Sequence, residues 1–267
     1  MDQERRTDDR LRGRVAVVTG ASRRGGIGAA ICRELARRGA SVLFTHWRSY
    51  NGSVGLGKDS EAREALTAEL RCLGDQAEAV EVDLSLPESP ARVLEEAEMK
   101  LGTPTILVNN AAYSTRDGFE GLDARILDAH HAVNVRATAL LSVGFAKCFA
   151  RRYPGRSGGR IVNMISGQEN GPMPGELAYA ASKGAIAAFT RSLSAEVGLL
   201  GITVNAVNPG PTDTGWMTQE LRATLLPRFA LGRVGLPEDA ARLVAWLATD
   251  EAAWITGQII DSAGGFR

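Results

Sequence analysis

From Arg14 to its end the chain alternates between two hydrophobic patterns. Short, mostly β-branched apolar runs predict buried strands, and longer stretches with apolar residues at helical spacing predict amphipathic helices. The predicted strands are Val15–Thr19, Val42–Thr45, Ala79–Val82, Ile106–Val108, Ile161–Ile165, Val204–Val207 and Gln258–Ile260. The predicted helices are Ala29–Arg38, Glu61–Leu73, Ala91–Leu101, Ile126–Arg152, Ala178–Gly198 and Glu238–Thr249.

Strands that are apolar throughout and alternate with helices are typical of a parallel sheet covered on both faces. Right-handed crossovers make such a sheet doubly wound, with ligand sites at the carboxyl ends of its strands. The sequence therefore predicts an α/β protein. We expect residues 1–12, which are mostly charged, to form a mobile tail, and residues 13–267 to form a single domain.

Composition narrows the class of protein. The 267 residues carry 31 Lys and Arg and 31 Asp and Glu, so the formal net charge is zero. A neutral chain is not typical of proteins that bind nucleic acid or anionic membranes, because both need a basic surface. No apolar run approaches the roughly 18 residues that a membrane-spanning helix needs.

The cysteines and histidines predict no metal site. Cys32, Cys72 and Cys148 match no metal or redox spacing. They indicate thiols in a reducing compartment, so we expect a cytoplasmic protein. The adjacent His130 and His131 point about 100° apart on a helix and do not chelate one metal, which favours packing or solvent roles.

The first predicted strand runs directly into a glycine-rich turn, Thr19-Gly20-Ala21-Ser22-Arg23-Arg24-Gly25-Gly26-Ile27-Gly28, and a helix follows. Such glycines let the backbone approach a pyrophosphate, while the helix N-terminus offers free N–H groups and a positive dipole end. The spacing of Gly20, Gly26 and Gly28 does not fit G-x-G-x-x-G, so a plain strand-to-helix turn is the alternative. Its place at the first βα junction favours a dinucleotide site.

The end of the second strand predicts which dinucleotide binds. An acidic residue there would bind the ribose 2′-hydroxyl of NAD, whereas the 2′-phosphate of NADP needs cations. The strand ends Thr45-His46-Trp47-Arg48 with no carboxylate before Asp59, and Arg23 and Arg24 lie in the preceding turn. This pattern favours NADP(H) and leaves NAD(H) possible. The alternative is that these arginines simply face water.

A possible acid–base pair lies further along the chain. Tyr179 and Lys183 are four residues apart at the start of a predicted helix and therefore share one face. A phenol titrates near pH 10, and a nearby cation brings its pKa toward the working range. Most such pairs are solvated helix surface. Here, however, Ser166 ends the buried strand Arg160–Ile165, which puts a hydroxyl at the carboxyl edge facing the same crevice.

In this order the motifs resemble those of the short-chain dehydrogenase/reductase family in its compact single-domain form, over about residues 13–265. The matching residues are the Thr19–Gly28 turn, Asp83, Asn109-Asn110-Ala111, Asn134, Ser166, Tyr179, Lys183, Asn208-Pro209-Gly210 and Thr214. The 3-oxoacyl-[acyl-carrier-protein] reductases are the most similar members. The resemblance implies a Rossmann-type doubly wound seven-stranded parallel sheet with helices on both faces. It also implies an NAD(P)(H)-dependent oxidoreductase that transfers hydride between nicotinamide and a ketone or alcohol.

The resemblance further implies a catalytic set of Asn134, Ser166, Tyr179 and Lys183. Tyr179 protonates the carbonyl oxygen and Ser166 holds that oxygen. Lys183 lowers the pKa of Tyr179 and hydrogen-bonds the nicotinamide ribose, and Asn134 positions a water that links Lys183 to solvent. The protein thus supplies geometry and proton control for chemistry that belongs to the cofactor.

The resemblance implies cofactor contacts along the whole carboxyl edge of the sheet. Asp83 contacts adenine, and Asn110 contacts the adjoining ribose. Thr212 and Thr214 contact the carboxamide and phosphates. The full set is Gly20, Ser22, Arg23, Arg24, Gly26, Ile27, Gly28, Arg48, Asp83, Leu84, Asn110, Ala111, Ala112, Tyr179, Lys183, Pro209, Gly210, Thr212 and Thr214.

Three features depart from the family pattern. Five residues instead of three separate Gly20 and Gly26, which leaves open whether Arg23 or Arg24 meets a 2′-phosphate. Ala112 replaces a glycine, so its methyl group either crowds the ribose or rigidifies the loop. The stretch 47–60 is longer than usual and is either a flap over the adenosine end or an insertion without a role.

The sequence leaves the substrate and partners open. Apolar residues at helical spacing in Pro211–Arg228 predict a mobile lid or, alternatively, a packed surface helix. A cluster of arginines suits binding of an acyl carrier protein or, alternatively, is solvated surface; its members are Arg151, Arg152, Arg156 and Arg160. Leu199-Leu200 occupies the second basic site of carrier-protein reductases, so a free small-molecule ketone or aldehyde is at least as well supported. The resemblance also implies a homotetramer or homodimer.

Two other functions fit the same scaffold. A non-catalytic dinucleotide-sensing regulatory protein has no need of Tyr179 and Lys183. Epimerases and dehydratases of this fold usually have a substantial C-terminal substrate region, whereas here only the residues after Val207 are available. A carbonyl reductase is therefore the leading hypothesis.

Overall fold

A computed structural model describes residues 9–47 and 60–267. The strands are β1 (Val15–Val18), β2 (Ser41–His46), β3 (Ala77–Glu81), β4 (Ile106–Asn109), β5 (Gly159–Met164), β6 (Ile202–Asn208) and β7 (Ile259–Asp261). They form one parallel sheet in the order β3-β2-β1-β4-β5-β6-β7. The predicted seven-stranded, doubly wound sheet is confirmed. The strand order reverses between β1 and β4, which places the ligand crevice at their carboxyl ends.

Helices connect the strands and cover both faces. They are α1 (Ile27–Arg37), α2 (Ser60–Leu73), α3 (Ser89–Lys100), α4 (Gly118–Gly121), α5 (Ala124–His130), α6 (Thr138–Arg152), α7 (Leu177–Val197), α8 (Gln219–Leu225) and α9 (Pro237–Leu247). A π-helix, His131–Ala137, joins α5 to α6. A 3-10 turn, Gly167–Glu169, follows β5.

The core has two layers because side chains alternate between the faces of each strand. Val18 and Phe44 belong to the layer that α1 and α9 cover, whereas Val17 lies in the layer that α3 and α6 cover. Phe145 and Phe149 of α6 fill the second layer. The central strands are therefore mostly apolar, because helices cover both faces of the sheet.

The structure divides the predicted helix Ile126–Arg152 into α5, the π-helix and α6. The stretch Ala124–Arg152 is long and apolar enough, by length and composition, to cross a membrane. However, core helices pass the same test, and Leu141, Phe145 and Phe149 are buried in the layer beneath the sheet. This helix behaves as a core helix of an α/β domain.

The ordered contacts begin before residue 13. Leu11, inside the predicted tail 1–12, is fully buried, and its N–H donates to the Arg38 carbonyl at 2.8 Å. Arg10 pairs with Glu251 at 2.8 Å. Residues 1–8 lie outside the described range, and the division into tail and single domain stays a prediction.

Candidate active site

The glycine turn and the end of β4 are built against each other. Gly20 has a φ of +74°, and a Cβ there would lie 2.6 Å from the Ala111 Cα. A Cβ on Gly28 would lie 2.6 Å from the Gly20 carbonyl oxygen. The Asn110 amide donates to the carbonyls of Thr19 and Gly20, both at 2.9 Å. Both glycines are therefore required by close approach of the backbone.

The helix after this turn presents an open N-terminus. α1 begins at Ile27, and its N-cap residue Gly26 supplies no side-chain hydrogen bond. The first-turn N–H groups of an uncapped helix favour an anion. Ser22 steadies the turn from the other side, since its Oγ accepts from the Trp47 N–H at 3.2 Å. These features fit a dinucleotide pyrophosphate.

The two turn arginines have different surroundings. Arg24 Nη2 lies 3.7 Å from Glu69 Oε2, and hydrogen bonding by Arg33 to that carboxyl holds the pKa of Glu69 below its usual range. Arg23 is half-buried beside Gly26, and within residues 9–47 and 60–267 it forms no ion pair. The third predicted cation, Arg48, lies outside the described residues, as does most of the stretch 47–60.

The remaining predicted cofactor contacts lie after β3, β4 and β6, on the same edge of the sheet. Asp83 Oδ1 accepts from the Ser85 N–H at 2.8 Å, and Leu84 is buried. Thr212 is also buried, with its Oγ1 3.2 Å from the carbonyls of Pro209 and Gly210, whereas Thr214 is half-buried. Ala112, next to Ala111, is half-buried too. The side chains of Asp83, Asn110 and Thr212 thus already hydrogen-bond the protein, and their nucleotide contacts stay predictions.

Tyr179 and Lys183 share one face of α7. Lys183 Nζ lies 5.6 Å from the centre of the Tyr179 ring and donates to the Met164 carbonyl at 2.7 Å. Met164 ends β5, so the lysine joins α7 to the strand that leads to Ser166. Only 3% of Lys183 is exposed, and burial lowers the pKa of its ammonium to about 8. A charge held at this position is available to stabilise a phenolate.

Ser166 lies two residues beyond β5, half-buried, and its N–H donates to Gln168 Oε1 at 3.1 Å. The 3-10 turn that follows Ser166 packs against α7. Beside it is a cavity of about 400 Å³ whose lining includes Ser166, Glu169, Arg191 and Asp261. The cavity on the β6–β7 side of Ser166 is therefore polar.

Asn134 occupies the middle of the π-helix and is buried. Its amide donates to Ser182 Oγ and to the Tyr113 carbonyl, both at 2.9 Å, and its Oδ1 accepts from the Tyr113 N–H at 2.7 Å. Because Ser182 lies on α7, these bonds tie the π-helix to the helix of Tyr179. The predicted water-positioning role stays a prediction, since both amide hydrogens bind protein atoms. π-Helical turns occur frequently at functional sites.

His130, for which the sequence favoured a packing or solvent role, lies beside Tyr179 in the structure. It is buried, as the expected packing role requires, and its ring contacts the rings of Tyr113 and Tyr179 edge-on, with centroids 5.0 and 6.5 Å away. Adjacent His131 is exposed. Among the described residues, no group of three or more His, Cys, Asp and Glu could hold a metal ion.

One predicted surface needs correction. Arg160 does not belong to an exposed basic patch with Arg151, Arg152 and Arg156, because it is 3% exposed and donates to Asp250 Oδ1 at 3.0 Å. It lies in β5, where the parallel sheet buries it, and burial lowers its pKa.

The segment Pro211–Arg228 contains the short helix α8, which has no buried residue. This exposure favours the lid over the packed helix.

Comparisons with known proteins agree with this site. A family model described as enoyl-(acyl carrier protein) reductase matches residues 20–267. An uncharacterized oxidoreductase of Bacillus subtilis is 53% identical, covering 95% of this chain and 96% of that protein. A 3-oxoacyl-[acyl-carrier-protein] reductase of Pseudomonas aeruginosa is 39% identical, covering 96% of this chain and 98% of the relative. A short-chain dehydrogenase of Burkholderia cenocepacia, solved in complex with NADP, is 35% identical with a TM-score of 0.83, covering 96% of this chain and 98% of its own. The chain belongs to the short-chain dehydrogenase/reductase family of oxidoreductases, as its motifs predict.

Proposed function

We propose that this oxidoreductase is an NADP(H)-dependent carbonyl reductase that uses Tyr179 as its acid. The observation that carries the proposal is the Tyr179–Lys183 pair, in which a buried ammonium lies 5.6 Å from the phenol ring. Burying a charge is costly, and such sites are therefore candidates for function. The pair lies at the carboxyl edge of the sheet, where α/β folds of this kind bind their ligands.

The residues of the first βα turn fit a dinucleotide. The uncapped N-terminus of α1 suits its pyrophosphate, and Arg23, which forms no ion pair within the described residues, suits a 2′-phosphate. Arg24 is the weaker candidate because it lies beside Glu69. When bound, the nicotinamide supplies the hydride for the carbonyl carbon.

The protein's own residues manage the proton. Tyr179 donates its phenolic proton to the carbonyl oxygen as that oxygen gains negative charge, and Ser166 donates a hydrogen bond to the same oxygen. The Lys183 ammonium stabilises the phenolate that proton transfer leaves behind. Asn134 fixes the π-helix against Ser182 of α7 and thereby keeps these groups in register.

We propose a small-molecule ketone or aldehyde as the substrate. The relative from P. aeruginosa is named a 3-oxoacyl-[acyl-carrier-protein] reductase, which fits reduction of a ketone, and the polar cavity beside Ser166 suits a second polar group on the substrate. Docking of an acyl carrier protein is less well supported, because Arg160 faces the protein interior.

We also infer a cytoplasmic homotetramer or homodimer. Cys32, Cys72 and Cys148 are free, which suits a reducing compartment. Leu127 of α5 and Leu140 of α6 are each more than 40% exposed and offer apolar surface to a second subunit. The measurement is the mass in solution by light scattering, and a monomer would contradict the oligomer.

The test compares Tyr179→Phe with the matched control Tyr153→Phe, since Tyr153 packs on Phe149 away from the crevice. With NADPH and a panel of 3-oxoacyl thioesters, sugars, steroids and quinones, we expect Tyr179→Phe to lose at least about 100-fold in kcat because it removes the proton donor. The control retains activity, and both variants bind NADPH. Near-full turnover by Tyr179→Phe would refute the assignment. NADPH binding by the wild type without turnover of any carbonyl would favour the regulatory alternative.

A further inference from the structure

The helix that carries Tyr179 and Lys183 is capped from a distant part of the chain. Its own N-cap residue, Glu176, supplies no side-chain hydrogen bond. The N–H groups of Leu177 and Ala178 donate instead to the two carboxylate oxygens of Asp117, Oδ1 and Oδ2, each at 2.8 Å. The first turn of a helix needs such acceptors, because its N–H groups have no partner within the helix.

Asp117 is itself held firmly. Its Oδ1 also accepts from the Gly118 N–H at 2.6 Å, and its own N–H donates to the Gly175 carbonyl at 3.0 Å. An ion pair between Arg116 and Glu176, 3.6 Å long, runs beside these bonds. The segments 113–118 and 175–178 are therefore fastened together at several points, and Asp117 lies at the centre.

The other end of segment 113–118 contacts the π-helix and His130, and His130 in turn contacts the Tyr179 ring. Asn134 binds both backbone polar groups of Tyr113. The Thr115 N–H donates to His130 Nε2 at 3.4 Å, and the His130 ring lies edge-on between the rings of Tyr113 and Tyr179. One segment thus fixes the backbone on which Tyr179 sits and, through His130, one side of its ring.

The charge of Asp117 suits this position. Burial raises the pKa of its carboxyl, but the hydrogen bonds from Ala178, Gly118 and Leu177 outweigh that effect and leave the pKa below its usual value. The carboxylate is therefore ionised at neutral pH. It lies at the positive end of the dipole of α7, a 21-residue helix, where a negative charge is stabilising.

We propose that Asp117 is a positioning residue for the reduction. It caps α7 from outside the helix and thereby fixes Tyr179, the residue after Ala178, relative to Lys183 and Ser166. The inference rests on the proposed function, because it concerns the alignment of the same proton donor. A misplacement of about 1 Å in such a group can cost about 100-fold in rate.

The experiment compares Asp117→Ala and Asp117→Asn with Asp123→Ala. Asp123 is the matched control, because its carboxylate caps α5 through the Ile126 N–H at 2.8 Å and makes no bond to α7. For each variant we would measure kcat, the KM values for NADPH and ketone, and hydrogen exchange of a peptide covering residues 176–180. All assays are run well below the unfolding temperature of each variant.

We expect Asp117→Ala to lower kcat by about 10- to 100-fold, with both KM values within about twofold of wild type. Exchange at residues 176–180 accelerates because two amides lose their acceptor. Asp117→Asn keeps one acceptor oxygen, so we expect its kcat and exchange rate to lie between those of wild type and Asp117→Ala. This variant also provides the test if the alanine variant fails to fold. Asp123→Ala changes neither kcat nor exchange at these positions.

Three results would overturn the inference. The first is a kcat for Asp117→Ala equal to that of Asp123→Ala, whatever the exchange rate. The second is an effect confined to the ketone KM, which would make Asp117 a substrate contact. The third is unchanged exchange at 176–180. If the wild type reduces no carbonyl, the proposed function fails instead, and hydrogen exchange still tests the cap separately.

Discussion

Replacing Lys183 with methionine should abolish the reductase and yet stabilise the fold at neutral pH. The side chain is 3% exposed, and burial lowers the pKa of its ammonium from 10.5 to about 8. The folded state therefore carries a charge in an environment that disfavours it. Methionine has a similar volume and no charge, so it fills the same space without that cost.

The magnitude follows from the pKa difference. A shift from 10.5 to about 8 corresponds to roughly 3 kcal/mol of unfavourable free energy when the lysine is charged. The substitution also leaves the Met164 carbonyl without its donor, which costs about 1–2 kcal/mol. The net gain in unfolding free energy at pH 7 is thus about 1–2 kcal/mol. Activity falls because the phenolate loses its cation.

The pH dependence gives the sharper test. Between about pH 8 and 10.5 the unfolded lysine binds a proton that the folded lysine has lost, so the wild type gains stability as the pH rises. The methionine variant has no such group, and its advantage therefore shrinks through this window by about 3 kcal/mol and reverses inside it, at about pH 9 to 9.5. Urea unfolding followed by tryptophan fluorescence at pH 7, 8.5 and 9.5 measures the difference. Lys147→Met, at an exposed position, is the control. A wild-type-minus-variant difference that does not change with pH would refute the reasoning.

Two further predictions concern the glycine turn. Arg23→Ser should raise the KM for NADPH by about 10- to 100-fold and leave the KM for NADH nearly unchanged, because a charge-assisted bond to the 2′-phosphate contributes about 1.5–3 kcal/mol. Arg24→Ser is the control, and equal effects of both variants on NADPH would contradict the assignment of Arg23. Gly28→Ala should lower the unfolding free energy by about 1–3 kcal/mol, since its Cβ would meet the Gly20 carbonyl oxygen at 2.6 Å. Gly25→Ala has open space around its Cβ and should not share that loss in thermal unfolding without nucleotide.

The sheet and the catalytic helix were predictable because their signals are local. Apolar strands alternate with helices, and the spacing of Tyr179 and Lys183 places them on one face of α7 whatever the rest of the chain does. The glycine-rich turn is likewise recognisable from a short stretch of sequence. Seven strands in a doubly wound order follow from these patterns together with the handedness of the crossovers.

The remaining features depend on partners far away in sequence. Glu69, which is 45 residues from Arg24 in the sequence, lies beside Arg24 in the fold and makes it a weaker candidate for the 2′-phosphate than Arg23. Nothing in the local sequence distinguishes Asp117 from other loop residues, and only the fold brings it to the N-terminus of α7. The π-helix around Asn134 has no distinct hydrophobic period, because it adds only a local widening to an otherwise continuous helix. The burial of Arg160 likewise follows from its place in β5 rather than from its charged neighbours.

The fastening of segments 113–118 and 175–178 has a consequence for directed evolution of substrate range. A library of variants randomised in these two segments would disturb the hydrogen bonds that join them. Most of its members should therefore lose catalytic turnover before they acquire activity on a new ketone substrate. The α8 helix has no buried residue, and substitutions on exposed helices away from caps usually change stability by less than about 0.5 kcal/mol. Libraries confined to α8 and the neighbouring Trp216 should therefore keep a larger fraction of active clones.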